Sequence, residues 1–129
     1  MPNIRDCFAR ISIAVGFLLP PSAAVATQTC GGQITCKVDG GSYRIEMPGK
    51  GRAKAVYVYF HGYKSSAELQ MQQRYLIDAV LTHHLAFVAV DGIDGGWSYP
   101  NSFAHSRDEK RFITRVFDDL ERRFGFSLT

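Results

Sequence analysis

The sequence predicts an α/β fold in which a short hairpin precedes two strand–helix units. Two predicted strands, at residues 53–60 and 85–90, contain continuous apolar runs, the first of them from Ala55 to Phe60, with the composition of strands that are covered on both faces. Helical periodicity follows each run, first over residues 67–83 and then up to Phe124. Because strands that alternate with helices are joined by right-handed crossovers, we expect a parallel sheet.

Composition and charge are those of one globular domain. A chain of 129 residues, 46% of them hydrophobic and 21% charged, is long enough to bury a core. Its 15 basic and 12 acidic residues are scattered, and the longest basic block is the pair Arg122-Arg123. Nucleic-acid binding is therefore not expected.

The first 26 residues have the pattern of a secretory signal. Two arginines precede a short apolar segment at residues 11–19, and Ala24-Val25-Ala26 fits the small-residue rule for cleavage. A membrane anchor is the alternative, but Pro20-Pro21 ends the apolar run before it could span a bilayer of ~30 Å. The sequence predicts a mature domain of residues 27–129, secreted or periplasmic and without a membrane association after cleavage.

Export determines how the cysteines are interpreted. Cys7 would leave with the signal, whereas Cys30 and Cys36 form a close pair in an oxidising compartment, which predicts a disulfide. A metal site is disfavoured because two thiolates need further ligands and no histidine lies nearby. Lipid attachment at Cys30 is disfavoured too, since the preceding Gln28-Thr29 is not small and apolar.

The first elements are short strands. Residues 36–38 and 42–47 predict a hairpin, because Asp39-Gly40-Gly41 supplies the positive φ of a tight turn. A loop at residues 48–51 then leads into the apolar strand at 53–60.

Each predicted helix starts at a capping-box spacing. Ser65 with Glu68, and Ser106 with Glu109, place a serine three residues before a glutamate, so that each side chain can bond the other residue's backbone N–H. The second helix is strongly amphipathic and is expected to stop at Gly125.

Candidate functional residues follow the two long strands. Ligands of open parallel sheets bind outside the carboxyl ends of the strands, and His61-Gly62-Tyr63, Asp91-Gly92 and the loop with Trp97 all fall there. Gly62 lets backbone approach a bound group, and N–H groups at the next helix N-terminus favour negative charge. Such an arrangement suits an oxyanion hole, although a plain strand-ending turn has the same pattern.

Several motifs, taken in order, carry a resemblance to a known family. They are Cys30-Gly31-Gly32 with a second cysteine at 36, Gly41-Ser42-Tyr43-Arg44-Ile45, the strand into His61-Gly62-Tyr63, Ser65-Ser66-Ala67, the strand into Asp91-Gly92, and Trp97-Ser98-Tyr99-Pro100. In this order they resemble the N-terminal half of secreted α/β-hydrolase-fold esterases of the polyhydroxybutyrate depolymerase and feruloyl esterase type. The resemblance covers nearly all of residues 27–129.

The resemblance implies a partial α/β-hydrolase fold and a polyester or an aromatic ester as substrate, with no cofactor and no metal. By the same resemblance, the backbone N–H of Tyr63 contributes to an oxyanion hole. His61, Gly62, Trp97 and Tyr99 lie at the substrate cleft.

The catalytic serine of that family lies in a later Gly-x-Ser-x-Gly elbow, and its acid and histidine lie later still. None of the three can be placed in these 129 residues. We therefore expect a fragment of the fold, truncated before the nucleophile elbow and without esterase activity by itself.

Other residue types with catalytic potential have simpler explanations. Ser98 lies in Gly-x-Ser-x-Pro with no strand before it, and Ser127 follows a helix, so neither is expected to be a nucleophile. His83-His84 close a helix, where a cation complements the dipole. His105 is expected in a loop, and His61 is expected to be a structural hydrogen-bonding residue rather than a general base.

The strand at residues 53–60 has a further consequence. By resemblance it lies beside the nucleophile strand, and without that neighbour it is an open sheet edge that predicts self-association. A secreted, non-catalytic binding module that uses the Trp97 loop and this edge is thus the alternative to an esterase.

Overall fold

The computed structural model describes residues 30–100 and 106–128. The predicted signal at residues 1–26 and His105 lie outside this part of the chain. Within it, four strands and three helices follow one another in chain order. They are β1 (Cys36–Val38), β2 (Gly41–Glu46), β3 (Ala55–Phe60), α1 (Ala67–Gln70), α2 (Arg74–Thr82), β4 (Leu85–Val90) and α3 (Glu109–Phe124).

The strands form one mixed sheet in the order β1-β2-β4-β3. Strands β3 and β4 are parallel, with Ala55 opposite Leu85, as the two strand–helix units predict. Strand β2 runs antiparallel to both β1 and β4. The α/β class is therefore confirmed, but the sheet is not parallel throughout because the N-terminal hairpin joins it.

Helices cover both faces of the sheet. Phe112, Val116 and Leu120 of α3 pack on the face that carries Tyr43, Ile45 and the even-numbered residues of β4. Ala67, Ile77 and Val80 of α1 and α2 pack on the opposite face with Phe87 and Ala89. The alternation of side chains along β4 thus divides the core into two layers.

Strand β3 lies at an open edge of the sheet, as the resemblance predicts, but it is not covered on both faces as its apolar composition predicts. Ala55, Tyr57 and Phe60 are exposed, and no strand among the described residues pairs with the outer edge of β3. The strand that is covered on both faces is β4, in which all residues after Leu85 are buried. Apolar composition predicted both strands correctly but could not distinguish a central strand from an edge strand.

The helix predicted at residues 67–83 is interrupted, because the chain leaves helical geometry between α1 and α2 and Gln73 has ψ 67°. Neither capping box forms. Ser66, rather than Ser65, accepts a hydrogen bond from the Leu69 N–H. Asp108, rather than Ser106, caps α3.

A disulfide and a buried side-chain hydrogen bond fasten the sheet to its surroundings, and α3 ends at the predicted residue. Cys30 and Cys36 form the predicted disulfide, with Cα atoms 4.9 Å apart. Gly125 ends α3 at φ 70°, as expected for a left-handed helix cap. The buried Tyr43 hydroxyl donates to Asp119 on α3 at 2.8 Å, which joins the helix to β2.

The Tyr43–Asp119 pair has perturbed ionisation. Burial, and then the hydrogen bond to the carboxylate, raise the pKa of Tyr43 above its ordinary value. Burial also opposes ionisation of Asp119, but hydrogen bonds from Arg123 and Tyr43 outweigh it and hold the pKa of Asp119 below its ordinary value. Asp119 is therefore a buried carboxylate that stays charged.

Candidate active site

The loop after β3 is built around His61, whose side chain is 3% exposed. The Gly92 N–H donates to Nε2 at 2.9 Å, so the ring proton must lie on Nδ1, which donates to the Gly62 carbonyl at 2.8 Å. Both ring nitrogens are thus bonded to backbone groups, one in the loop after β3 and one in the loop after β4. This arrangement agrees with the structural role expected for His61 and leaves its ring no polar atom for a substrate.

Close backbone contacts fold the loop after β4 on itself, and a backbone hydrogen bond joins it to the loop after β3. A side chain at Gly92 would lie 2.0 Å from the Gly96 carbonyl oxygen, so only glycine fits. Ile93 and Gly96 exchange two backbone hydrogen bonds of 2.9 Å. Lys64, at φ 59°, donates its N–H to the Gly95 carbonyl at 2.7 Å.

Trp97 fixes one wall of the site. Its indole N–H donates to the His61 carbonyl at 2.8 Å, and its ring makes an edge contact with Phe60 at 5.3 Å between centroids. The imidazole of His61 lies 5.1 Å away. The indole is therefore held in place by the loop that it covers.

A cleft of about 390 Å³ lies between the two loops. All of the residues assigned to the site by resemblance line it: His61, Gly62, Tyr63, Trp97 and Tyr99. The side chains of Tyr63 and Tyr99 are 81% and 63% exposed. The structure thus brings together residues that are up to 38 positions apart in the chain, counted from His61 to Tyr99.

The backbone N–H of Tyr63 is a candidate oxyanion donor. The next two amides are used, since Lys64 donates to Gly95 and Ser65 donates to the Gly62 carbonyl at 3.3 Å. Tyr63 makes no backbone hydrogen bond to any residue of the described ranges, although it lines the cleft. A ligand or water can therefore accept from this N–H without displacing a bond of the fold.

The carboxylate of Asp91 occupies the helix N-terminus that the sequence predicted to be open to an anionic ligand. Its carboxylate accepts from the Ala67 N–H at 2.7 Å and from the Ser42 hydroxyl at 3.0 Å. The first amide of α1 is thus occupied, and α1 is only four residues long. The first amide of α1 is therefore not available to a ligand as the sequence predicts, whereas the loop amide of Tyr63 is.

Arg107 and Glu109 support the cleft, a role that the sequence did not indicate for either residue. The buried guanidinium of Arg107 lies 3.7 Å from the centroid of Phe112 and donates to Glu109 and to the carbonyls of Gly40 and Asp91. Glu109 in turn accepts from the Ser98 N–H at 2.8 Å. The capping-box spacing drew attention to Glu109 but assigned its carboxylate to the wrong partner.

Ser98 is 7% exposed, and its hydroxyl accepts from the N–H groups of Ser106 and Arg107 at 3.2 Å each. This structural role agrees with the expectation that Ser98 is not a nucleophile. In the described ranges, no cluster of three or more His, Cys, Asp or Glu side chains could hold a metal ion. No helix there has the length and apolar character needed to cross a membrane.

No protein family, curated protein or solved structure matches this chain.

Proposed function

We propose that this chain supplies the oxyanion-binding half of a secreted carboxylic ester hydrolase, of the polyhydroxybutyrate depolymerase or feruloyl esterase type. The observation that carries the proposal is the backbone N–H of Tyr63, a residue that lines the cleft; this N–H has no hydrogen-bond partner in the described ranges. An N–H held in a rigid loop stabilises the charge that develops on a carbonyl oxygen during acyl transfer.

The position of this N–H in the fold supports the proposal. In α/β-hydrolases one oxyanion donor comes from the loop between the third strand and the helix that follows it. Here Tyr63 lies between β3 and α1, and β3 is the third strand among the residues that the structure describes. The outer edge of β3, unpaired among the described residues, is where a strand carrying the nucleophile would add to the sheet.

The walls of the cleft suit an ester with an apolar or aromatic group. Tyr63 and Tyr99 offer exposed rings, and Trp97 forms one wall of the cleft. Because the indole N–H of Trp97 is used by the His61 carbonyl, this side contributes shape and contact area rather than hydrogen bonding.

A chimera tests the proposal. The described domain is fused to the nucleophile-bearing half of a polyhydroxybutyrate depolymerase, and hydrolysis of p-nitrophenyl butyrate is measured. Tyr63→Pro removes the N–H, whereas Tyr63→Ala keeps it and serves as the matched control. We expect Tyr63→Pro to lower kcat by about 10²–10³-fold with little change in KM, and Tyr63→Ala to retain most of kcat.

Equal kcat values in the two variants would refute the role of Tyr63. The chain alone is expected not to hydrolyse the ester, since both nitrogens of His61 are committed to backbone groups. Robust hydrolysis by the purified chain that is abolished by a serine-directed inhibitor would contradict this second expectation.

A further inference from the structure

The outer edge of β3 has the features of a self-pairing strand. Its six residues, Ala55–Phe60, carry no charge and include no proline, and Tyr57 and Phe60 are 40% and 47% exposed. Edge strands that stay monomeric usually carry lysine, proline or a bulge as protection. β3 has none of these within its length.

Hydrogen bonds elsewhere in the sheet establish which groups of β3 face outward. The Asp91 N–H donates to the Ser42 carbonyl, so odd-numbered residues of β4 point their backbone groups toward β2. Even-numbered residues of β4 therefore point toward β3. With Ala55 opposite Leu85, they bond the odd-numbered residues of β3, and the backbone groups of Val56, Val58 and Phe60 point outward.

We propose that β3 pairs with β3 of a second copy in an antiparallel dimer, with Val58 on the two-fold axis. In this register Val56 lies opposite Phe60 of the second copy, and Tyr57 lies opposite Tyr59. All three outward-facing residues then exchange backbone hydrogen bonds with their counterparts.

The proposal commits to a second copy because the edge is complementary to itself. Two-fold symmetry about Val58 keeps each side chain on its own face of the extended sheet, so every opposed pair is apolar or aromatic. Aromatic pairs across strands are stabilising, and the Tyr57–Tyr59 pair occurs twice. No like charges meet within the six residues.

The size of the contact sets its strength. One pair of short strands buries less than the ~800 Å² per partner of a standard protein interface, so we expect a dissociation constant above about 1 µM. The pairing does not depend on the proposed esterase function. It uses the edge that a nucleophile strand would occupy, so one molecule cannot have both neighbours at once.

Sedimentation velocity of the full chain from about 1 to 500 µM tests the proposal, since this range brackets the expected dissociation constant. We expect a monomer–dimer equilibrium that Tyr57→Lys weakens at least ~10-fold by removing both aromatic pairs and placing lysine on the edge. Tyr75→Lys makes the same substitution at a tyrosine of α2 that is 94% exposed, and should leave the equilibrium unchanged. A monomer at all concentrations, or equal weakening by both variants, would overturn the proposal.

Amide hydrogen exchange of the unmodified chain gives a second readout that does not depend on a variant. The N–H groups of Val56, Val58 and Phe60 should gain protection as concentration rises. Those of Tyr57 and Tyr59, bonded to β4, should be protected at every concentration. Uniform exchange of all five, or protection of the outward-facing three in the monomer, would contradict the register.

Discussion

Replacing Gly92 with alanine tests the packing that holds the two loops of the cleft together. The new Cβ would lie 2.0 Å from the Gly96 carbonyl oxygen and 3.1 Å from the His61 ring. Ordinary contacts of this kind are 3.4–4 Å, so the backbone around Gly96 must move by more than 1 Å. That movement breaks the two hydrogen bonds between Ile93 and Gly96 and weakens the one from Gly92 to His61.

At about 1 kcal/mol for each hydrogen bond, Gly92→Ala should lower the free energy of unfolding by about 2–3 kcal/mol. Urea unfolding followed by circular dichroism measures this loss. Trp97 is the one tryptophan of the chain, so a change in tryptophan fluorescence between Gly92→Ala and the wild type in native buffer should also show that the cleft wall has moved.

Gly62→Ala is the matched control in the facing loop. No atom lies within 4 Å of a Cβ at Gly62, and its φ is not in the left-handed region. This variant should be neutral or slightly stabilising, because alanine restricts the unfolded chain. If the free energy of unfolding of Gly92→Ala lies within ~0.5 kcal/mol of that of Gly62→Ala, the close contact between Gly92 and Gly96 does not stabilise the loop after β4, and the prediction is wrong.

Three further predictions concern the support of the site. Because the folded pKa of Asp119 is depressed, its contribution to stability is present above the unfolded value of ~3.9 and is lost as pH falls through the folded pKa. In urea titrations at successive pH values, the free energy of unfolding of Asp119→Asn should fall less steeply with decreasing pH than that of the wild type. An equally steep fall in both proteins would contradict this role of Asp119. Reduction of the Cys30–Cys36 disulfide should lower the free energy of unfolding by about 2 kcal/mol, as measured by urea unfolding with and without reductant. Complete unfolding on reduction would contradict the small effect expected for so short a loop. Arg107→Lys keeps the charge but cannot make all the hydrogen bonds of the guanidinium, so its free energy of unfolding should be at least about 2 kcal/mol lower than that of the wild type. Equal values in the two proteins would show that those bonds are dispensable.

Sequence patterns predicted the elements well wherever one local signal was decisive. The bounds of β4 were predicted correctly because a continuous apolar run ends at Asp91, and the end of α3 because Gly125 suits a left-handed cap. In the hairpin, β1 has the predicted bounds, whereas β2 begins and ends one residue earlier than predicted. These features depend on residues that are neighbours in the chain.

The errors arose where distant residues compete for the same groups. Glu109 did not fold back on its own helix because Ser98 and Arg107 offered it better partners. The Ala67 N–H donates instead to Asp91, which follows β4 and is 24 residues away in the chain. Local spacing cannot predict such contacts, because it contains no information on which loops meet.

The site residues divide in the same way. The end of an apolar strand at His61-Gly62-Tyr63 and the loop with Trp97 were recognisable as candidates. The bond from the Trp97 indole to the His61 carbonyl, and the use of both His61 nitrogens, become visible only once the two loops are packed together.

Asp91 has a consequence for the way the domain opens. Its side chain bonds Ser42 of the hairpin and the first amide of α1, and its carbonyl accepts from Arg107 beside the start of α3. Segments that share such a residue cannot separate from the sheet one at a time without leaving one of its hydrogen-bonding groups without its partner. The hairpin, the cleft loop and the start of α3 should therefore behave as one cooperative unit, and the geometry around Tyr63 should persist until the whole domain unfolds.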